Sequence, residues 1–405
     1  MDLDLDARYE TFRREIAEFL EAERKRVPRG RELGAPDRGL REWQRRLIER
    51  GYVARTIPRE YGGFGAEPDL LETIILDEEF TRAGIPRGIS GQGISMLVPT
   101  LLEHGSEEQK RRWIPPTLRG EILWCQGYSE PGAGSDLASL QTRAIEDGKD
   151  FVINGQKIWT STAAEAQMMF VLVRTEPDAE KHAGISYLLL PMDTPGIEVR
   201  PLRTMTGGAE FNEVFFNDVR VPQANVVGRR GEGWRIANTT LRHERNMLGN
   251  AAQSERLLLQ AVAQLREETC EGEPVLRDAC LQDRLVELQA QALAMKYHSY
   301  RLLTHQLRGE SPGVAGLVVK LQGCQLNHDI AKLAIDGMGE FGTLYHRSRH
   351  ERRGGMWQFQ FMFSLGLIIG GGTAQIQKNI IAERGLGLPR EPRPMPAAPR
   401  ASREG

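Results

Sequence analysis

Two short segments carry the residue types best suited to chemistry. Residues 129–136 read SEPGAGSD, and residues 159–161 read WTS. The glycines let backbone N–H groups approach a ligand closely, and the hydroxyls can donate hydrogen bonds. A tryptophan in a strand usually belongs to the core, but beside such a loop it can also stack on a flat ring. Together the two segments predict a site for a phosphate or a planar cofactor.

Short strands connect these two segments. Leu140, Thr142 and Ala144 lie two residues apart, as in a half-buried strand, and a tight-turn pair follows at residues 147–148. Apolar residues at 151, 153 and 158 continue the pattern around a second turn-like pair, Asn154 and Gly155. We therefore expect two hairpins that bring residues 159–161 back to the 129–136 loop.

Length, charge and composition exclude several classes of protein. A chain of 405 residues suggests two or three domains, and 53 Lys+Arg against 55 Asp+Glu gives no basic surface for nucleic acid or an anionic membrane. The apolar run at residues 359–369 is shorter than the roughly 20 residues of a membrane span. The N-terminus is acidic and lacks the pattern of a signal peptide. We expect a cytoplasmic protein, with no metal site because no Cys/His cluster is present.

The periodicity of apolar residues changes twice along the chain. Residues 1–120 have helical spacing, residues 121–230 have short β-type runs separated by turns, and residues 231–390 have long amphipathic helical runs. Residues 391–405 are rich in Pro and Arg and predict a disordered tail. The fold class is therefore α+β: an N-terminal helical domain, a middle antiparallel β-barrel or sandwich, and a C-terminal four-helix bundle.

Three motifs in this arrangement resemble those of the acyl-CoA dehydrogenase family. SEPGAGSD at 129–136 resembles the signature [ST]-E-P-x-x-G-S-D, NGQKIW at 154–159 resembles N-G-x-K-x-[WY], and TAQIQ at 373–377 resembles the C-terminal motif G-T-x-x-I-Q. The resemblance extends over nearly the whole chain.

This resemblance implies a tightly bound FAD. By analogy, residues on the loop and the strand lie along the flavin ring, with Trp159 packed on one ring face, and hydrogen-bond donors near its reactive nitrogen stabilise the reduced ring. Ser135 is also expected near the acyl-CoA. The cofactor-binding residues implied are Gln126, Tyr128, Ser129, Gly134, Ser135, Trp159, Thr160, Ser161, Thr373 and Gln375.

The family reaction removes hydrogen from the α- and β-carbons of an acyl-CoA thioester. A carboxylate takes the α-proton while a hydride leaves the β-carbon for the flavin. Many members carry this carboxylate in a Y-E-G-T segment, but this chain has glycine at positions 370–372, with Gly371 where the Glu would stand. The backbone N–H of Gly371 can still contact the thioester oxygen, so Gly371 and Gly372 remain expected substrate contacts.

Other family members carry the base on the first long helix of the bundle, as a Glu-Arg pair. This chain has Glu244 and Arg245 at that place. Taken alone, such a pair is more often a solvated charged face. Because the usual Glu is missing at 371, we predict that Glu244 is the catalytic base and that Arg245 lies near the substrate.

The substrate and the partners follow from the same resemblance. Three small residues at 370–372 favour a medium or long, branched or polycyclic acyl-CoA. The family implies an electron-transfer flavoprotein as the electron acceptor and a homotetramer, or a heterotetramer with a homologue. Two alternatives remain open: a non-catalytic partner subunit of a heteromeric dehydrogenase, and a flavin oxidase or monooxygenase on the same fold.

Overall fold

The N-terminal region is a cluster of five helices. A computed structural model describes residues 6–28, 36–311, 313–345 and 348–390, without the side chains of 245–247 and 306. Aspartates cap three of the helices and a Ser106–Gln109 capping box begins the fifth, so their first N–H groups are satisfied. The helices are α1 (Ala7–Glu23), α2 (Arg38–Glu49), α3 (Leu70–Ala83), α4 (Val98–His104) and α5 (Glu107–Leu118).

The middle region is one curled seven-stranded sheet. Its strands are β1 (Trp124–Gly127), β2 (Arg143–Asp147), β3 (Asp150–Ser161), β4 (Met168–Arg174), β5 (Ile185–Pro191), β6 (Ile197–Leu202) and β7 (Phe211–Pro222). The order is β1-β4-β2-β3-β7-β6, and β5 pairs with β4. The sheet is mixed, because β4 pairs in parallel with β1 and β2 while the other pairs are antiparallel. The α+β fold class is confirmed.

One of the two expected hairpins forms and the other does not. β2 and β3 make the predicted hairpin at residues 147–150. The second hairpin is wrong, because β3 continues through Asn154 and Gly155 with a shift of register against β7. A Cβ at Gly155 would lie 2.5 Å from Oγ1 of Thr142. The glycine therefore permits a close approach of β3 to the segment before β2, and not a turn.

The C-terminal region is helical. α6 (Gly233–Met247) contacts β5 and α4, whereas α7 (Ala251–Glu267), α8 (Ala279–Leu307), α9 (Ala315–Gly337) and α10 (Met356–Ile369) enclose one apolar core around Trp357. A short hairpin of β8 (Thr269–Cys270) and β9 (Glu273–Pro274) joins α7 to α8, and α11 (Ala374–Ile380) follows α10. The predicted four-helix bundle is thus α7–α10. The tail predicted at 391–405 lies outside the described residues.

Two glycines set the position of α6 against α9. Gly249 ends α6 with a left-handed φ of 72°, and a Cβ at Gly323 on α9 would lie 1.9 Å from the Gly249 carbonyl oxygen. Backbone therefore packs directly on backbone at this crossing, which a larger residue at 323 would open.

α10 presents an apolar face outside the chain's own core. Phe359 and Phe363 stack with ring centroids 5.4 Å apart and are partly exposed, and Ile369 is 64% exposed. By length and composition the helical stretch Arg353–Gly385 could cross a membrane, since an 18-residue window within it has a mean hydropathy of 1.3. One such stretch is weak evidence for a membrane span. The glycines at 370–372 interrupt it between α10 and α11.

Candidate active site

A buried ion pair joins the 129–136 loop to β3. Lys157 is fully buried and its Nζ donates to Oε1 of Glu130 at 2.8 Å and to the carbonyl oxygen of Tyr128 at 3.1 Å. The Glu130 carboxylate also accepts the backbone N–H groups of Gln141 (2.6 Å) and Thr142 (2.8 Å). One carboxylate thus holds the loop, β3 and the start of β2 together.

The pKa values of this pair reflect burial and mutual attraction. Burial alone would raise the pKa of Glu130, but the Lys157 ammonium and the hydrogen bonds hold that pKa below its ordinary value. Burial lowers the pKa of Lys157 to about 8, against the opposing effect of Glu130. The pair is a structural tie that fixes the loop beside the strand.

Several buried polar atoms near the loop make no hydrogen bond within the described residues. They include Nε2 of Gln126 on β1, Oγ1 of Thr160 on β3 and Oδ1 of Asn212 on β7, whose amide nitrogen donates to the Thr160 carbonyl oxygen at 2.9 Å. Buried polar groups are nearly always paired, so a group of unpaired ones indicates a bound ligand. Two of them, Gln126 and Thr160, were predicted to contact the flavin. A polar, flat ring with donors and acceptors at its edge fits these residues.

Trp159 has an unusual backbone and an exposed ring. Its φ is 61°, and it lies where β3 and β7 shift register between Lys157 and Thr160. A left-handed bulky residue costs about 1–3 kcal/mol and commonly marks a functional site. The ring is 59% exposed and contacts Phe211 edge-on at 6.1 Å. A wide aromatic surface is therefore available for stacking, and the role of Trp159 at the flavin stays a prediction.

The other predicted cofactor residues have varied surroundings. Gly134 and Ser135 are exposed at the tip of the loop, and Ser129 and Ser161 are partly buried. Thr373 caps α11, with Oγ1 accepting the N–H of Ile376 at 3.2 Å, and Gln375 is exposed on α11. The positions of these residues do not test their assignment to the cofactor, which stays a prediction.

Tyr128 is buried more deeply than a ring-edge position requires. Its side chain is 4% exposed and lies edge-on to Phe170 and Tyr187, at 6.0 and 6.3 Å. Burial raises its pKa well above the ordinary value, and Tyr187 and Glu244 raise it further. The hydroxyl therefore lies in the apolar interior, within electrostatic range of the predicted base.

Glu244 and Gly371 come together in space. A Cβ built on Gly371 would lie 3.6 Å from Oε1 of Glu244. Gly371 has a left-handed φ of 63°, and its carbonyl oxygen accepts Nε2 of Gln377 at 3.3 Å. The carboxylate on α6 therefore lies beside the backbone position from which the missing glutamate would have projected. The side chain of Arg245 lies outside the described residues, so its predicted role stays a prediction.

Two buried lysines were not among the predicted site residues. Lys157 follows the inward-facing alternation of Phe151 and Ile153 along β3, which could have identified it. Lys320 is the single charged residue in an apolar stretch of α9 and shares its buried face with Cys324. In both cases the signal was a lysine at a position where the pattern requires an apolar residue.

Three family models match nearly the entire chain. They are the acyl-CoA dehydrogenase N-terminal domain over residues 6–121, the middle domain over residues 125–219 and the C-terminal domain over residues 231–386. The chain belongs to the acyl-CoA dehydrogenase family. The predicted family and the predicted oxidoreductase activity are confirmed, and a flavin cofactor is a property of this family.

Similar proteins include bacterial and human acyl-CoA dehydrogenases. Acyl-CoA dehydrogenase IpdE1 of Mycobacterium tuberculosis is 41% identical over 368 residues, covering 89% of this chain and 92% of IpdE1. The human mitochondrial short-chain specific acyl-CoA dehydrogenase is 31% identical over 346 residues, covering 82% of this chain and 79% of the human protein.

Two similar solved structures each contain two named components. The Tcur3481-Tcur3483 steroid ACAD has a TM-score of 0.80 and 32% identity, covering 96% of this chain and 100% of that chain. The ChsE4-ChsE5 complex from Mycobacterium tuberculosis has a TM-score of 0.78 and 32% identity, with the same coverage of both chains.

Proposed function

We propose that this protein dehydrogenates a bulky acyl-CoA between its α- and β-carbons, with Glu244 as the catalytic base. The observation that carries the proposal is the 3.6 Å between Oε1 of Glu244 and the Cβ position of Gly371. A carboxylate at this place can reach the α-proton that a glutamate at 371 would reach in other members of the family. The base is therefore relocated from the 370–372 loop to α6.

The residues of the chain then have separate roles. Glu244 removes the α-proton, and the N–H of Gly371 donates to the thioester oxygen, where negative charge develops as the proton leaves. Gln126, Trp159 and Thr160 hold the cofactor ring, as the unpaired buried atoms and the exposed indole support. FAD, when bound there, would supply the acceptor for the β-hydride.

The substrate proposed is a polycyclic or branched acyl-CoA. Glycines at 370–372 place no side chain of their own beside the expected thioester site. Leu248 and Gln377 lie 2.6 and 2.8 Å from the Cβ positions of Gly371 and Gly372, so the support for a bulky acyl group comes from a relative and not from open space. The similarity to a structure titled as a steroid ACAD supports a steroid-derived acyl group. A series of straight, branched and ring-bearing acyl-CoA substrates tests this, and a clear optimum at butyryl-CoA would contradict it.

Substitution of the base tests the reaction itself. Glu244→Gln is expected to keep bound FAD but to slow anaerobic bleaching of the flavin by acyl-CoA by about 10³-fold, because general-base catalysis contributes on this scale. Glu18→Gln, which changes an exposed carboxylate on α1, is the matched control and should bleach at the wild-type rate. Bleaching of the Glu244 variant at that same rate would refute the assignment.

The same experiment separates the alternatives. A colourless wild-type protein would favour the non-catalytic partner subunit, and release of hydrogen peroxide with each turnover would favour the oxidase. We propose an electron-transfer flavoprotein as the acceptor, which a reconstituted assay with and without that protein tests. We also propose a cytoplasmic location, to be checked by cell fractionation.

The assembly proposed is a tetramer in which another subunit covers the apolar face of α10. The partly exposed Phe359 and Phe363 support this, and so do the two-component neighbours. The subunits are identical or are contributed in part by a homologue. Sedimentation of the chain alone, and after coexpression with a homologue, distinguishes the two compositions, and a stable monomer in both experiments would contradict the assembly.

A further inference from the structure

Lys320 is a buried cation that ties together the two ends of the glycine loop at 370–372. Its side chain is 2% exposed on α9. Nζ donates to the carbonyl oxygen of Ile368, in the last turn of α10, and to that of Gly372, just before α11, both at 2.7 Å. The loop that contains Gly371 is thus closed at both ends by one ammonium group.

This ammonium also lies within electrostatic range of the proposed base. Burial lowers the pKa of Lys320, whereas two titratable groups act in the opposite direction: Cys324, one turn along α9, and Glu244 on α6. α10 and the glycine loop present carbonyl oxygens to the lysine. Glu244 is also within electrostatic range of the Tyr128 hydroxyl. A cation and a neutral phenol therefore both interact with Glu244.

The path of the chain accounts for this closeness. Gly323, three residues beyond Lys320, packs on the backbone of Gly249 at the end of α6, which brings α9 against the helix that carries Glu244. A cation favours the ionised form of a nearby carboxylate, and the effect is strong where water is excluded. A lysine in this position can therefore both hold the 370–372 loop through hydrogen bonds and attract the Glu244 carboxylate.

We propose that Lys320 is a positioning residue for the dehydrogenation: it closes the 370–372 loop so that Gly371 faces Glu244, and its charge attracts the Glu244 carboxylate. The inference rests on the proposed function, because Glu244 is taken as the base. The two contributions of Lys320 can be separated, because a neutral hydrogen-bond donor can close the loop without supplying a positive charge.

Three variants separate these contributions. Lys320→Arg keeps charge and donors, Lys320→Gln keeps donors alone, and Lys320→Met keeps neither. The pH dependence of anaerobic flavin reduction is the readout. We expect the midpoint of the rate profile to move upward by about one pH unit in the Gln and Met variants and to stay in place in the Arg variant. Lys332→Met, an exposed lysine on the same helix, is the control.

A second readout does not depend on turnover. Melting temperatures are measured for Lys320→Gln, Glu244→Gln and the double variant. If the lysine attracts the Glu244 carboxylate, its substitution lowers the melting temperature by about 2 °C more in the wild-type background than in the Glu244→Gln background. The Gln variant retains hydrogen-bond donors, so this measurement stands even if the Met variant fails to fold.

The outcomes distinguish this inference from the proposed function. A wild-type protein whose flavin is reduced by no acyl-CoA refutes the function, and the melting temperatures then decide on the coupling between Lys320 and Glu244. Normal reduction with an unchanged pH midpoint in the Gln and Met variants, or additive melting temperatures, overturns the role of Lys320.

Discussion

Substitution of Lys157 should destabilise the middle region more than substitution of an ordinary strand residue. Lys157→Met leaves the Glu130 carboxylate buried with its two backbone donors and no cation. Breaking a buried pair in this way costs about 3–5 kcal/mol, and the remaining hydrogen bonds from Gln141 and Thr142 place the expected loss near 3 kcal/mol. Burial lowers the pKa of Lys157 despite the attraction of Glu130, so the Met variant is relieved of part of the cost of burying an ammonium group, which keeps the loss at the lower end of that range.

A buried ion pair also predicts that the two single substitutions are not additive. Removing both charges, in Lys157→Met with Glu130→Gln, should cost at least about 2 kcal/mol less than the sum of the single changes. Urea unfolding measures the totals, and hydrogen exchange of the Gln141 and Thr142 amides reports the site directly. Lys181→Met is the control, because its pair with Asp136 is exposed and is worth less than about 1 kcal/mol.

The sign of the pH dependence follows from Glu130. Its pKa is depressed in the folded protein, so its contribution to stability is present above its unfolded pKa and is lost as the pH falls through its folded pKa. The penalty of Lys157→Met should therefore be largest near neutral pH and smaller in acid, where Glu130 is protonated. A penalty below about 1 kcal/mol at neutral pH, or wild-type exchange of both amides, would refute the reasoning.

Two further substitutions test the packing around the proposed base. Gly323→Ala should lower stability by about 1–3 kcal/mol, since its Cβ would lie 1.9 Å from the Gly249 carbonyl oxygen, and thermal unfolding against Gly316→Ala, an open position on the same helix, measures this. Gly371→Glu should lower stability by at least about 1–2 kcal/mol, because its left-handed φ of 63° is unfavourable for a side chain and its Cβ would lie 2.6 Å from Cδ1 of Leu248. This variant should lose more stability at neutral than at acid pH, because a second carboxylate would lie beside Glu244. Equal losses at both pH values would contradict this like-charge repulsion.

The apolar periodicity was sufficient to predict the three regions, because local spacing decides whether a segment buries one face as a helix or as a strand. The prediction of the second hairpin failed because Gly155 takes part in a contact that is not local. Gly155 is required by a contact with Thr142, which belongs to a separate segment, and a local turn pattern does not contain that contact. Part of the site was predictable in the same way: the start of the 129–136 loop lies beside β3, where the N–H of Ile158 donates to the carbonyl oxygen of Ser129 at 2.9 Å.

The roles of the two lysines could not be read from local patterns. Lys157 pairs with a carboxylate 27 residues earlier in the chain, and Lys320 donates to carbonyl oxygens 48 and 52 residues later. Such pairings exist only once the middle and C-terminal regions have each folded. The closeness of Glu244 to Gly371 was predictable only as a family resemblance, and the distance between them came from the structure.

The strained, exposed Trp159 has a practical consequence for spectroscopy. Of the six tryptophans, it alone is mostly exposed, whereas Trp43, Trp124 and Trp357 are buried and Trp113 and Trp234 are half-buried. Its emission should be red-shifted and open to aqueous quenchers when no ring covers it. A stacked aromatic ligand would shield the indole from collisional quenching, so the chain contains its own fluorescent reporter of occupancy.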